Sequence, residues 1–181
     1  MIAALAAGAM VLAGCSSSDS SGEASEGGDT AVASSTDNAE YKICMVTHGD
    51  GGGFWSVAKA GALKAAEDLG VTFDYQESNN DAEAQAQLIE ADVSGGCEAI
   101  AVSAPNPDAI KGAMEKAEAA GIPLVTMNSG SQVFKDLGAF THVGQDEIIA
   151  GREAGVKFKE LGATKVLCPI QEQNNIGLQE R

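Results

Sequence analysis

The chain has 181 residues, 44% apolar but only 4% aromatic, enough for one ordinary core of small side chains with helices packed on a sheet. Its 26 acids against 11 bases give a net charge of −15, a field that repels phosphate backbones and excludes nucleic acid as a partner reached by long-range attraction. No apolar run reaches the roughly 18 to 20 residues needed to span a bilayer, which excludes a membrane-crossing helix on length.

Residues 1–15 begin the chain with small apolar side chains and end in Leu12-Ala13-Gly14-Cys15, ahead of Ser16-Ser17-Ser18. This order resembles a bacterial lipoprotein signal, cleaved before Cys15 and lipidated on that thiol; the other reading is a core helix that ends in Gly-Cys. Such an anchor carries more than one acyl chain, and at about 0.8 kcal/mol per buried CH₂ it holds a protein stably at a membrane surface. Met1-Ile2-Ala3-Ala4 has no basic residue, so a start upstream of Met1 is expected. Residues 16–40 hold six acids and no base among Ser and Gly, with too little apolar surface to offset their ordering entropy. A disordered tether between lipid and domain is expected there, an acidic interaction tail being the alternative.

From residue 41 the pattern alternates. Ile43-Cys44-Met45-Val46 reads as a strand, and Phe54 to Leu69 as a helix with Val57, Ala58, Gly61, Ala62, Ala65 and Leu69 on its inner face. Val71 to Tyr75 is a second strand; Asp81 to Val93 is a second helix, capped by Asn80 or Asp81 and stopped at Gly95-Gly96. Ala99 to Val102 is a third strand. Asn106 with Pro107 opens a third helix that Gly121 closes before a fourth strand, Ile122 to Val125. Alternation of this kind implies right-handed crossovers, an α/β fold with a parallel, doubly wound sheet covered by helices on both faces, and a ligand outside the carboxyl ends of the strands.

Function is therefore expected in four loops: His48 to Trp55, Glu77 to Asn80, Ser103 to Asn106, and Asn128 to Gly130. Three carry amides or hydroxyls that both donate and accept, as a neutral polyhydroxylated ligand requires. The Gly-rich loop lacks the Gly-Lys-Ser/Thr ending of a P-loop, and Gly49-x-Gly51-x-x-Phe54 misses the third glycine of a dinucleotide fingerprint. Phe54 and Trp55 suit stacking on the apolar face of a sugar ring, and equally suit ordinary core packing at a helix start. His48 and His142 stand apart with no carboxylate or cysteine set beside them, so neither a metal site nor a catalytic base is read. His48 suits a ligand hydrogen bond and His142 a packed position. With Cys15 assigned to lipid, Cys44, Cys97 and Cys168 remain, matching no zinc spacing; disulfides and buried single thiols stay open, with Cys168 able to pair beyond residue 181.

The motifs Phe54-Trp55, Gly61, Ala66-x-x-Leu69-Gly70, Ser78-Asn79-Asn80-Asp81, Ser103-x-Pro105-x-x-Asp108-Ala109, Ala120 to Val125 and His142-Val143-Gly144-Gln145-Asp146 together resemble the ribose-binding-protein type of periplasmic sugar-binding proteins, over residues 41 to 181. The resemblance implies a type I periplasmic-binding-protein fold: two hinged lobes that trap a sugar or polyol and present the closed form to an ABC permease in the membrane. On that pattern residues 41–145 are a complete first lobe. Residues 146–181 are the hinge crossing and the start of a truncated second lobe, with hinge positions at Gln145 and Asp146. Ligand contacts fall on His48, Gly52, Phe54, Trp55, Ser103, Asn128 and Ser129, and on Gln179, whose role Arg181 can exchange. Glycine replaces the family's usual first-loop Asn, and Asn128-Ser129 replaces its Asp-Arg, so the charged clamp is absent and a different or less tightly held ligand is implied. A monomeric, cofactor-free, non-enzymatic importer component on the cell envelope follows, with presentation of sugar to a chemoreceptor or sensor kinase as the alternative. A regulator with this core needs a basic helix-turn-helix before the first strand, where residues 16–40 are acidic. An exported enzyme needs a nucleophile with its base, and Ser103, Ser129 and Asp50 have no such partner in sequence.

Overall fold

A computed structural model describes residues 38–181. The expected signal, the lipidation site Cys15 and residues 16–37 of the expected tether lie outside the described residues. The element order is β1 (Lys42–Thr47), α1 (Gly53–Leu69), β2 (Thr72–Glu77), α2 (Ala82–Ser94), β3 (Ala99–Ser103), α3 (Pro107–Ala119), β4 (Leu124–Met127), a 3₁₀ turn (Lys135–Leu137), β5 (Thr141–Val143), α4 (Glu147–Glu160) and α5 (Ile176–Glu180). Local chemistry sets most of these bounds. Asp81 caps α2 by accepting from the amides of Glu83 and Ala84, and Asn106 caps α3 ahead of Pro107. At the end of α1, Gly70 takes the left-handed conformation that turns the chain into β2. Residues 38–40 form a turn tied to the domain: Asn38 donates to the Leu69 carbonyl and Thr72 to that of Ala39.

All five strands run parallel in the order β2-β1-β3-β4-β5. The chain moves outward from β1 to β2 and then back across to β3 and β4. Right-handed crossovers therefore put α1 on one face and α2 and α3 on the other, leaving a crevice beside β1 where the direction reverses. The main core lies under α2 and α3, where Cys44, Val46, Ile100, Val102 and Leu124 meet Ile89, Ile110, Ala113, Met114 and Ala117. Cys44 and Cys97 form a disulfide across this core, closing one of the two alternatives; Cys168 is free and exposed.

Two local expectations are corrected, in β4 and in α1. The fourth strand is displaced by two residues, because the Ile122 amide bonds back to Ala117 to finish α3, while Pro123 has no amide to offer the ladder. A fifth strand, β5, pairs beyond β4. The inner face of α1 runs through Trp55 and Ala66, with Ala58 and Ala62 half-buried, whereas Val57 is 74% and Leu69 51% exposed. The large Trp55 ring sets the rotation of the helix, which the small alanines do not resist. After α4, Lys165–Pro169 forms no ladder and is exposed.

Candidate functional site

A cleft of about 560 Å³ opens outside the carboxyl ends of β1, β4 and β5 and is closed on its far side by α4 and by residues 171–181. His48, at the end of β1, forms its floor and is 4% exposed. The amide of His48 donates to Ser103 Oγ at 2.9 Å, and its Nδ1 lies 2.7 Å from the same oxygen. Trp55, on the first turn of α1, stands edge-on to His48 with ring centroids 4.8 Å apart, and Phe54 stands edge-on to Trp55 at 5.0 Å. Gly49 makes room for the indole, since a Cβ there would lie 2.8 Å from Trp55 Cγ.

Asn128, after β4, adopts a left-handed backbone with φ 60° that asparagine tolerates better than most residues, and its amide donates to the Val143 carbonyl at 3.0 Å. This lays its side chain along the cleft wall. Asn175 ties the far wall to the strand ends. Its Oδ1 accepts from the Ser129 hydroxyl and from the amides of Gly177 and Leu178, while its Nδ2 donates to Glu172 Oε2 at 2.6 Å. Glu172 Oε2 in turn lies 3.6 Å from His48 Nε2. At the opposite end the half-exposed Arg181 donates from Nε to the buried Glu147 at 2.6 Å, so the two charges compensate each other.

Burial holds the His48 pKa below its usual value, against smaller upward pulls from Glu172 and Asp50. The ring is therefore neutral at physiological pH. His142 is also lowered by burial; its Nδ1 bonds Thr126 Oγ1 at 2.8 Å away from the cleft, as expected of a packed residue.

Of the residues singled out in sequence, His48, Phe54, Trp55, Asn128 and Gln145 line the cleft. Ser103 and Ser129 are buried behind it, the first hydroxyl bonded to His48 and the second shared between Asn128 Oδ1 and Asn175 Oδ1, each at 3.1 Å. Gly52 is the exposed N-cap of α1 and lines no part of the cleft, and Gln179 is exposed and bonds the Gln173 carbonyl. Arg181, two residues on, occupies the place expected of Gln179. Gln145 bonds Glu147, and Asp146 caps α4 and accepts from Gln132. The sequence reading missed Glu147, Gln171, Glu172 and Asn175. The one available signal was the Asn175-Ile176-Gly177 start of a short helix, which resembles any other N-cap.

Ser103, His48 and Glu172 form a row that matches a hydrolytic triad in composition. Ser103 has no solvent exposure, and its oxygen already accepts an amide, so it cannot meet a substrate. Among the described residues one set has metal-ligand spacing, Cys44, Asp92 and Cys97, and its two sulfurs are bonded to each other. What remains is a crevice of amides, one neutral imidazole and an aromatic wall at the strand ends of a doubly wound sheet, the geometry of a small-molecule binding lobe.

The comparisons agree with that class. The periplasmic binding protein domain family matches residues 43–175, and the chain belongs to it. The D-apiose import binding protein of Actinobacillus succinogenes is 30% identical over 68% of the chain, and the fructose import binding protein FruE of Bifidobacterium longum is 28% identical over 84%. A carbohydrate transporter protein of Acidothermus cellulolyticus, solved with myo-inositol, superposes on 78% of the chain with a TM-score of 0.75 and 39% identity. The chain spans 39% and 44% of the two curated relatives and 49% of that solved chain.

Proposed function

We propose that this chain forms a sugar- or polyol-binding lobe of an extracytoplasmic substrate-binding protein, which captures its ligand in the strand-end cleft and delivers it to an ABC permease. The observation that carries the reading is the chemistry of the cleft: amides from Asn128, Gln145, Gln171 and Asn175, the neutral His48, and an indole wall. Amides and a neutral imidazole satisfy hydroxyls in both directions, and the indole edge and face cover C–H surface. The Glu147–Arg181 pair neutralises itself, leaving Glu172 as the charged acceptor. Ligand names among the relatives are consistent: apiose, fructose and myo-inositol are all neutral and polyhydroxylated.

Capture works by population shift, in which a ligand held from both walls favours the closed form by its differential affinity for it. Export, lipid attachment at Cys15, hinge motion at Gln145-Asp146 and a monomeric state belong to this proposal. The test is a thermal-shift and calorimetric screen of the full-length protein against inositols, pentoses, hexoses and polyols, since a bound ligand raises apparent stability by mass action. One neutral polyhydroxylated ligand is expected to stabilise the protein, with Asn128→Ala removing the shift. A flat response across the panel would sink the assignment.

A further inference from the structure

His48 sits where its two ring nitrogens face different chemistry, and the neighbours decide which one carries the proton. Ser103 is fully buried. Its Oγ accepts the His48 amide at 2.9 Å and lies 2.7 Å from Nδ1, and among the described residues it has no further partner. The Gln85 amide nearby donates to the Ser103 carbonyl instead. If Nδ1 carried the proton, Ser103 Oγ would accept twice and its own proton would be buried without an acceptor, which disfavours that tautomer. If Ser103 donates to Nδ1, the Ser103 hydroxyl and Nδ1 satisfy each other and the ring proton lies on Nε2.

The far side of the ring agrees. Nε2 faces Glu172 Oε2 at 3.6 Å and Asn175 Nδ2 at 3.5 Å. The Asn175 oxygen accepts from the backbone amides of Gly177 and Leu178, which can only donate, so its NH₂ must point toward Glu172 and His48. At 3.5 Å that NH₂ gains little from Nε2, whereas its bond to Glu172 is 2.6 Å. A protonated Nε2 beside a carboxylate is the favoured arrangement, yet 3.6 Å exceeds the 2.7 to 3.2 Å span of a good N–H···O bond. Donor and acceptor are thus held side by side at the cleft wall without fully satisfying each other.

We propose that Ser103 is a positioning residue that locks His48 in its Nε2–H form, and that this N–H and the Glu172 carboxylate together clamp two adjacent hydroxyls of the ligand, a vicinal diol. One hydroxyl oxygen accepts from Nε2–H while its neighbour donates to Glu172. The clamp rests on the sugar-or-polyol reading; the tautomer does not.

¹⁵N-histidine labelling with long-range proton–nitrogen correlation reads the tautomer of each ring, and His48→Gln and His142→Gln assign the signals of the two histidines in this chain. The full-length protein at neutral pH is expected to show His48 with a protonated Nε2 and an acceptor-type Nδ1. Ser103→Ala is expected to mix or invert that signature, and Ser103→Thr, which keeps the hydroxyl, to restore it. In calorimetry the ligand found by the screen is expected to lose at least about tenfold in affinity with Glu172→Gln or Ser103→Ala. Its analogue lacking one of the paired hydroxyls should change much less. A protonated Nδ1 in the unsubstituted protein, or a tautomer indifferent to Ser103→Ala, overturns the lock. Equal losses for the diol and its deoxy analogue overturn the clamp alone. The expected tautomer in a protein that binds no polyol overturns the functional reading and the clamp with it, leaving the lock standing.

Discussion

The two faces of the sheet carry side chains of similar hydrophobicity but are covered very differently. On the α2/α3 face Cys44, Val46, Ile100, Val102 and Leu124 are at most 1% exposed. On the other, Met45 is buried at 7% exposure but Ile43, Ala101, Val125 and Met127 are only half-buried, and α1, placed on that side by the crossover, presents Phe54 and Val57 to solvent. Strands of a parallel sheet are apolar on both faces because both are normally covered, so residue type alone cannot tell these faces apart. The difference comes from connection order: β1 to β2 is the outward move, and the two moves back lay two helices on the closed face.

The sharpest way to break the comparison is to unstitch the closed face. Cys44 and Cys97 close a loop with a sequence separation of 53, and the loop-entropy relation puts the stabilisation at about 4 kcal/mol. The double substitution Cys44→Ala with Cys97→Ala is expected to lower the unfolding free energy measured by denaturant by about that amount, whereas Cys168→Ala leaves it unchanged. Next comes the packing itself. Ile110 has no exposure, and Ile110→Ala leaves a cavity worth about 3 kcal/mol, while Val125→Ala on the open face should cost about 1 kcal/mol or less. Equal losses in urea unfolding would mean that the open face is covered in solution.

Much of this architecture was legible because its signals are local. Asn106-Pro107 and Asp81 announce helix starts, and Gly95-Gly96 and Gly121 announce stops, wherever the chain then goes. The rotation of α1 was not legible, since an Ala-rich helix has little contrast around its circumference and Val57 looks as apolar as Trp55. The displacement of β4 depends on a single amide of Ile122 returning to α3. For the site, the strand-end rule selected His48, Trp55 and Asn128, and all three line the cleft. It also selected Ser103 and Ser129 by their chemistry, yet whether a hydroxyl faces the cleft or the layer behind it is set by the pleat and by its neighbours. Glu172, Asn175 and Arg181 lie far along the chain, and nothing before residue 146 determines where α4 returns them.

Acid offers a smaller test, aimed at the imidazoles buried at the edges of the closed face. Both His48 and His142 are lowered from 6.5 by burial, with Glu172 and Asp50 facing the first and Glu147 the second. A depressed histidine contributes stability that is complete above the unfolded value of 6.5 and is lost as pH falls through the folded value, because the unfolded chain binds the proton first. Unfolding free energy measured by denaturant is therefore expected to decline below about pH 6.5, and the decline should flatten when both histidines are replaced by glutamine. An unchanged slope in that double variant would assign the acid sensitivity elsewhere.

The smallest effect expected has the opposite sign and comes from inside the closed face. Asp92 is 3% exposed; Gln76 Nε2 donates to Oδ1 at 2.6 Å, while Oδ2 has no partner beside the Cys44–Cys97 sulfurs. Burial raises its pKa, Gln76 and Lys42 pull it down less strongly, and Asp74 adds to the rise. A raised carboxyl contributes stability that is complete below the unfolded value of 3.8 and is lost as pH rises through the folded value, so at neutral pH its charge burdens the fold. Asp92→Asn keeps the shape and the Gln76 bond while removing that charge. A gain of about 1 kcal/mol is expected at pH 8, shrinking toward zero at pH 4. Loss of stability at both pH values would instead show that the charged carboxylate is held by a partner in the closed face, and that this face is less dry than its packing implies.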